Sequence, residues 1–472
     1  MRLRVFLVVC VTCLLGLGGV AGARPGGGGS YHGGGSTGGS TGGGRGGFSG
    51  TGFSNTGGGG GSLGPLGSLV VLGIIGGVVL LVMVQRARQR RAPRAEQYDA
   101  SAAQRASVSL AALQARDPAL TEQSIVDHVR PMSDQLRGAW CGGNMLPARP
   151  FVSDGVYSRF QVQLAMMAQE NRRNVMSDAQ VLFMTIEAVE DAAPLDVVHV
   201  RLTAQARDTE VPLGANDAQI QAALARAPLN PYTEIWTLVR CTGAQTKQGD
   251  AQVGTACPKC GAPLAGGEML KCRYCGAMVC SGEHDWVLGE ITQLEEWRPS
   301  AGRPPGLDAL RAQDPGVAAE TLEDRASFLF WKWVESGRAQ NAAPLRKHAT
   351  AGLLASGARW EWTRGASDVS VGASDVATCV VGAGDGFDHV DVLVKWSARF
   401  GGSPAYTPCQ TVMRMARRAG VKSALSMTAL VCQACGAPVG ESDSTKCDHC
   451  GTELAAGDRA WVLEAVMSPG QS

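Results

Sequence analysis

Four cysteines at the spacing C-x2-C-x11-C-x2-C occur twice in the chain, as Cys257, Cys260, Cys272 and Cys275 and again as Cys432, Cys435, Cys447 and Cys450. No other feature constrains the backbone so tightly, because two short turns must bring four thiolates to one point. Gly261, Gly276, Gly436 and Gly451 each follow a cysteine pair, where glycine permits the left-handed backbone of a knuckle. Four sulfur ligands with no open position define a structural Zn(II) site rather than a catalytic one, so two structural Zn(II) ions are expected. Disulfides and an iron–sulfur centre are the rivals; a reducing compartment disfavours the first and paired knuckles the second. Zinc binding of about 10–16 kcal/mol folds segments too small for a core of their own. Cys280 and His284 offer a spare ligand beside the first set, but the second copy has Ala455 or its neighbours there, which points to a free thiol. Cys141, Cys241, Cys379 and Cys409 have no partner spacing and read as ordinary thiols.

The cysteines belong to a longer duplication, and self-similarity fixes the domain count. Ala112-Leu-Gln-Ala-Arg-Asp117-Pro118 recurs as Ala309-Leu-Arg-Ala-Gln-Asp314-Pro315, and Asp196-Val-Val-His199-Val200 answers to Asp388-His389-Val390-Asp391-Val392. Tyr232-Thr233 matches Tyr406-Thr407, and Trp286-Val-Leu matches Trp461-Val-Leu. The offset shrinks along the chain, so the first copy carries an extra loop, placed at Pro212 to Asn230 with a helix-like AQIQAALARA core.

What precedes the repeats is of another kind. Of 472 residues 63 are glycine, against 6 tyrosines and 10 phenylalanines, so part of the chain cannot be core. Residues 1–23 carry Arg2 and Arg4, an apolar run from Val5 to Leu17 and the small-residue site Ala21-Gly22-Ala23. That is the order of a secretory signal, and Cys10 and Cys13 would leave with it; an uncleaved first membrane helix is the alternative. Residues 24–62 form a glycine-rich tether with little to bury. The 22 residues from Leu63 to Val84 hold no charge and would span about 33 Å as a helix, enough for a bilayer. Gly73 and Gly77 in that span can bring two helices together as a homodimer. Arg86, Arg88, Arg90, Arg91 and Arg94 follow in a basic juxtamembrane linker, residues 85–109, whereas only Arg24 and Arg45 lie in the tether. Positive charge stays inside. The expected location is therefore a bacterial-type inner membrane crossed once, with the tether outside and the C-terminal domains cytoplasmic.

Within each repeat the apolar period changes. Ile125, Val129, Met132, Leu136 and Trp140 lie on one helical face that Pro131 interrupts, and Val156, Phe160, Leu164 and Met167 form a second stripe beginning near Ser153. Asp117-Pro118 and Asp314-Pro315 are expected to open helices, Asp as the cap and Pro in the first turn. Val198, Val200, Leu202, Ala204 and Ala206 alternate with polar residues, as do Val390, Val392, Val394 and Trp396, so these segments are expected to be half-buried antiparallel strands. Helices followed by strands give an α+β layer. The expected domains are α+β at 110–244, a zinc ribbon at 245–291, a linker at 292–306, a second α+β domain at 307–420 and a second ribbon at 421–466.

Leu113-Gln-Ala-Arg-Asp117-Pro118-Ala-Leu, Trp140, and Arg149-Pro-Phe-Val-Ser-Asp154-Gly-Val-Tyr157-Ser-Arg-Phe160 resemble the domain shared by bacterial membrane proteins and the forty-four-kilodalton subunit of the mitochondrial inner-membrane translocase. The resemblance covers about 130 residues of the first copy and less of the second, where Ala343-Pro-Leu-Arg-Lys-His348 replaces the Arg-Pro-Phe-Val-Ser-Asp block. Leu120 and Val317 stand where that family has an aromatic. The resemblance implies cone-shaped folds like nuclear transport factor two, a pocket between sheet and helices, and a membrane-bound scaffold for protein or lipid, linked to protein translocation or membrane-protein assembly. The mitochondrial protein's chaperone-recruiting segment is not recognisable, so an import-motor role is not implied.

Three function classes follow. A scaffold or adaptor at the cytoplasmic membrane surface, with the bilayer and unidentified proteins as partners, is the leading expectation. Nucleic-acid binding by the ribbons is the second: 43 basic against 42 acidic residues give a net charge of only +1, and Lys259, Lys271 and Arg273 in the first ribbon are answered by Glu441, Asp443, Asp448 and Glu453 in the second, which would repel phosphate. A small-molecule pocket or weak enzyme is the third. His199 with Asp196, and His389 with Asp388 and Asp391, are its only repeated His/Asp neighbours, and on strands they read as a solvated face. No catalytic residue is assigned. The twin Gly-Ala-Ser-Asp-Val at Gly365 and Gly372 reads as a turn-rich local duplication.

Overall fold

The computed structural model describes residues 110–470 except 248–252, 265–269, 295, 299–302, 424, 429–430, 433, 436, 438 and 440–443. The signal segment, the tether, the apolar 63–84 stretch and the basic linker lie outside the described residues. Among those described, no helix is long and apolar enough to cross a membrane.

Helix α1 (Glu122–Cys141) starts at Thr121, whose side chain accepts the Ser124 N–H while the Ser124 hydroxyl accepts the Thr121 N–H. This reciprocal cap satisfies donors that the first turn leaves without intrahelical partners. The expectation that Asp117 and Pro118 open the helix is thereby corrected: Asp117 lies in the preceding turn, and its carboxylate accepts from Thr246 and pairs with Arg240. Ile125, Val129, Met132, Leu136 and Trp140 are all buried, and Pro131 lies inside the helix. Ser153 caps helix α2 (Asp154–Gln169) by accepting the Val156 N–H. One side of α2 sends Val156, Phe160 and Met167 into the first core, while Val162 and Met166 belong to the second.

Four antiparallel strands follow in chain order, β1 (Arg172–Ala192), β2 (Leu195–Pro212), β3 (Leu229–Cys241) and β4 (Val287–Gln293). The inserted helix α3 (Asp217–Arg226) fills the β2–β3 connection, at the expected extra loop. The second half repeats the order with α4 (Leu307–Gln313), α5 (Ala319–Ala339), the short α6 (Ala351–Ala355) and a second antiparallel sheet, β5 (Ala366–Val380), β6 (Phe387–Phe400), β7 (Thr407–Arg418) and β8 (Val462–Met467). Mixed helices and antiparallel sheets, the expected α+β class, are what the chain forms. Val198, Val200, Leu202, Ala204 and Ala206, and Val390, Val392, Val394 and Trp396, all turn into the cores, as a period of two requires.

Two features depart from the sequence reading. The cysteine segments are not appended after finished domains: β4 and β8 are the fourth strands of their sheets, so each cysteine segment interrupts the connection between strands three and four. The segments drawn at 245–291 and 421–466 thus contain strand residues whose hydrogen bonds belong to the sheet. Of the Gly-Ala-Ser-Asp-Val twins only Gly365 lies in a turn; the rest runs along β5, where the pairing register shifts between Ser367 and Ser370 and between Val371 and Ala373. Asp368 takes the left-handed backbone there, with φ 48°, as a bulge allows.

The halves are fused rather than strung. Helix α2 packs on α5 and contributes to both cores. Leu195, Val197, Val239 and Val287 on the other face of the first sheet are covered by Ala318 and Met427 from the second half. Met427 donates its N–H to the Ser281 carbonyl at 2.9 Å and accepts the Asp154 N–H at 3.3 Å, so the irregular segment before the second cysteine set ties back onto the first half. Arg172 completes the joint, reaching Glu170, Glu210 and, across the halves, Asp368.

Candidate metal centres

Each cysteine segment folds as two facing knuckles. In the first, the Cys257 N–H donates to Ala262 and the Gly261 N–H returns to Cys257; Cys272, Ala277 and Gly276 repeat the pattern, all at 2.8–2.9 Å. Gly261, Gly276 and Gly451 have φ between 71° and 73°, a conformation that costs a residue with a Cβ about 1 kcal/mol or more. The knuckle turns direct all four sulfurs of each set inward, within 4.8 Å of one another.

The spacing of the sulfurs is specific. Cys257 and Cys275 are 3.7 Å apart, Cys260 and Cys272 3.7 Å, Cys432 and Cys450 3.7 Å, and Cys435 and Cys447 3.8 Å. A disulfide requires about 2.05 Å, so these thiols are unbonded. A regular tetrahedron with such edges has its centre roughly 2.3 Å from every corner, the Zn–S bond length. All eight cysteines expected as ligands are therefore brought together, in two sets of four, and each set can hold one metal ion. No further side chain is needed to close the shell.

Protons compete with a cation at such a site. The Cys275 N–H, opposed by burial and reinforced by the Tyr274 N–H, lowers the Cys272 thiol to about 6. The Thr452 hydroxyl and N–H do the same for Cys450, also to about 6. At Cys260 the Ala262 N–H pulls downward, but burial and the surrounding sulfurs outweigh it and raise the thiol to about 12. Each set thus begins to ionise readily and resists completing it, which a dication reverses.

The base of each insertion is a buried charge network that sequence analysis did not assign. Arg240 at the end of β3 meets Asp117 at 2.9 Å and Asp196 at 3.3 Å, and its guanidinium lies 4.3 Å from the ring centre of Trp286, the residue leading into β4. Arg417 at the end of β7 meets Asp314 at 2.9 Å, has Asp388 at 4.0 Å and lies 4.4 Å from the Trp461 ring. Thr246 and Ser423 donate to Asp117 and Asp314 in the same places. Both arginines are about 1% exposed. The recurring Asp-Pro and Trp-Val-Leu words were the visible signal, and the arginines that join them were not among the matched words.

The other sequence candidates separate. His199 does not pair with Asp196; its ring contacts Thr237 and Glu190 and stacks near Trp297. His389 lies between Asp385 and Glu464, 2.9 Å from each, while Asp391 is held by both donors of Arg414 at 2.8 Å. The structure thus assembles no repeated His–Asp pair. Cys280 is fully buried, with burial raising its thiol, and stands outside the first sulfur set. Comparison with family models, with curated proteins and with solved structures gives no match.

Proposed function

We propose that the protein is a membrane-anchored scaffold whose two metal-bound knuckle insertions present docking surfaces to protein or lipid partners at the cytoplasmic face. Zinc is the ion, because a closed all-sulfur tetrahedron of this size suits it and leaves no position for chemistry. The α+β units are read as cones of the nuclear-transport-factor-two type, each carrying a zinc ribbon in its last strand connection, and the motif resemblance to the translocase-subunit domain is what suggests a role in protein translocation or membrane-protein assembly. The single observation supporting this reading is the position of the insertions. Each sulfur set sits on a connection whose two ends are anchored in one sheet by a buried Asp–Arg–Trp network, so the tip is rigidly presented.

One observation favours a second reading. Lys259, Lys271, Arg273 and Tyr274 are exposed on the first insertion, Tyr274 to 72%, and bases stack on such aromatics beside basic side chains. The second insertion keeps only part of this character: Lys446 stands at the place of Lys271, but Ala434, Asp448 and His449 replace Lys259, Arg273 and Tyr274, and Asp448 is engaged by Lys347. The test is capture of the full-length protein from solubilised membranes, in parallel with a Cys435→Ser, Cys450→Ser variant. A defined protein complex lost from the variant supports the scaffold. Salt-sensitive retention of RNA or DNA, abolished by Tyr274→Ala, would replace it with the second reading.

A further inference from the structure

A cavity of about 50 Å³ lies where the two halves meet, between β4, the start of α5, β5 and the side of α2. Its walls carry Glu290 from β4 and Glu320, Glu323 and Asp324 from α5. The last three occupy positions i, i+3 and i+4 and so share one face of the helix. None of the four carboxylates forms an ion pair among the described residues: Glu323 accepts the Val376 N–H at 3.0 Å and Asp324 the Gly155 N–H at 2.9 Å. Arg159 is the one base in the wall; its Nη1 donates to the Ile291 carbonyl, while its buried Nε has no hydrogen-bond partner among the described residues.

A separate observation points to an absent donor. The Ser374 hydroxyl lines the same cavity, is 8% exposed and has no hydrogen-bond partner. A buried hydroxyl left so costs about 1–3 kcal/mol. Burial and Asp375 raise Glu290 to about 7; burial and Asp154 raise Asp324 to about 8. Burial and Glu320 raise Glu323 well above its ordinary range. His199 and Arg311 reach the cluster only as distant positive charges, and Glu190 adds a negative one.

We propose that this cleft binds a primary ammonium group, which donates its N–H bonds to the Glu290 and Glu323 carboxylates and the Ser374 hydroxyl. The chemistry selects this class. A metal ion needs converging ligand atoms, and among the described residues only the two cysteine sets converge closely enough. At roughly 10–15 Å³ per water the cavity admits about three to five water-sized groups, enough for an ammonium head with its first carbons and too little for a drug-sized ligand. Arg159 keeps the positive head toward the α5 wall by repulsion. The ammonium arrives either on a free small amine or on a lysine side chain of a bound protein. This inference stands independently of the scaffold reading.

The test follows thermal unfolding of the full-length, metal-replete protein in detergent, over a series of pH values that runs from below to well above the Asp324 value of about 8. Methylammonium should raise the midpoint saturably, whereas tetramethylammonium at equal ionic strength, without N–H donors, should not. Ser374→Ala and Glu323→Gln should each weaken the methylammonium response about tenfold, the loss of one charge-assisted hydrogen bond. Both variants relieve an unsatisfied or crowded group, so folding is retained. Equal responses to the two cations, no response to either, or variants indistinguishable from the parent would overturn the proposal. Blocked lysine binding more tightly than methylammonium assigns the site to a protein side chain; weaker binding assigns it to a free amine.

Discussion

Arg240 and Arg417 each hold the root of one insertion. Each is buried against two aspartates and a tryptophan, and removing one member of a buried ion network strands the others without solvent. Arg240→Met or Arg417→Met should therefore destabilise by about 3–5 kcal/mol in denaturant titrations. Lysine should restore little, since one ammonium cannot reproduce the planar fork. The acid limb follows from the partners. At Asp117 burial alone would raise the carboxyl, but Thr246 and Arg240 outweigh it; Ser423 and Arg417 do the same at Asp314, and both fall below the ordinary 3.8. A carboxyl depressed on folding gives stability that is present above the unfolded value and lost as pH falls through the folded one. Asp117→Asn with Asp314→Asn should flatten that limb of the midpoint-against-pH curve. Local pattern showed that these aspartates matter but assigned them to helix caps, because their arginine lies more than a hundred residues away and no periodicity encodes it.

Elements were more legible than contacts. Helices α1 and α2 stand where apolar spacing puts them, since one buried face fixes the period, and the inserted α3 stands where the repeat offset puts the extra loop. The cysteine knuckles were fully legible because four ligands must converge. What spacing could not reveal is that β4 and β8 close the sheets, for a six- or seven-residue strand after a metal segment looks like part of it. Metal removal checks the arrangement: titrating the thiols with a mercurial should release two ions per chain, and Cys432→Ser should reduce the content to one. Trp286 and Trp461, stacked on arginines at the roots of the insertions, should report the loss by a change in fluorescence, while the far-ultraviolet signal of the helices persists.

At the scale of the whole molecule the duplication looks modular in sequence and is not so in space. Residues 110–298 expressed alone would bare Val197, Val239 and Val287, which Ala318 and Met427 cover in the intact chain, so that piece should aggregate or melt well below residues 110–470 under the same conditions. The joint also sets the neutral side of the pH profile. Glu290 at about 7 and Asp324 at about 8 are raised on folding, chiefly by burial; the folded state then binds more protons than the unfolded chain. Stability contributed there is complete below the ordinary carboxylate range and declines as pH rises toward 8. Burial lowers His128 and His348 below the ordinary 6.5, which costs stability only as pH falls below that value. The decline from the two acids should therefore be read as falling unfolding midpoints between 6.5 and about 8 in the absence of amines. Neither acid was visible as special in the sequence, since Glu290 lies in the first copy and Asp324 in the second.

The place of the metal segments has a temporal consequence. As the chain leaves the ribosome, strand β3 emerges well before β4, with all of residues 242–286 synthesised between them, and β7 waits on residues 419–461 for β8 in the same way. Until the sulfurs are gathered, each sheet has a bare edge able to recruit foreign strands. Supply of the ion that the sulfurs hold thus becomes a checkpoint on maturation, and a cell starved of it should send the nascent protein to its proteases.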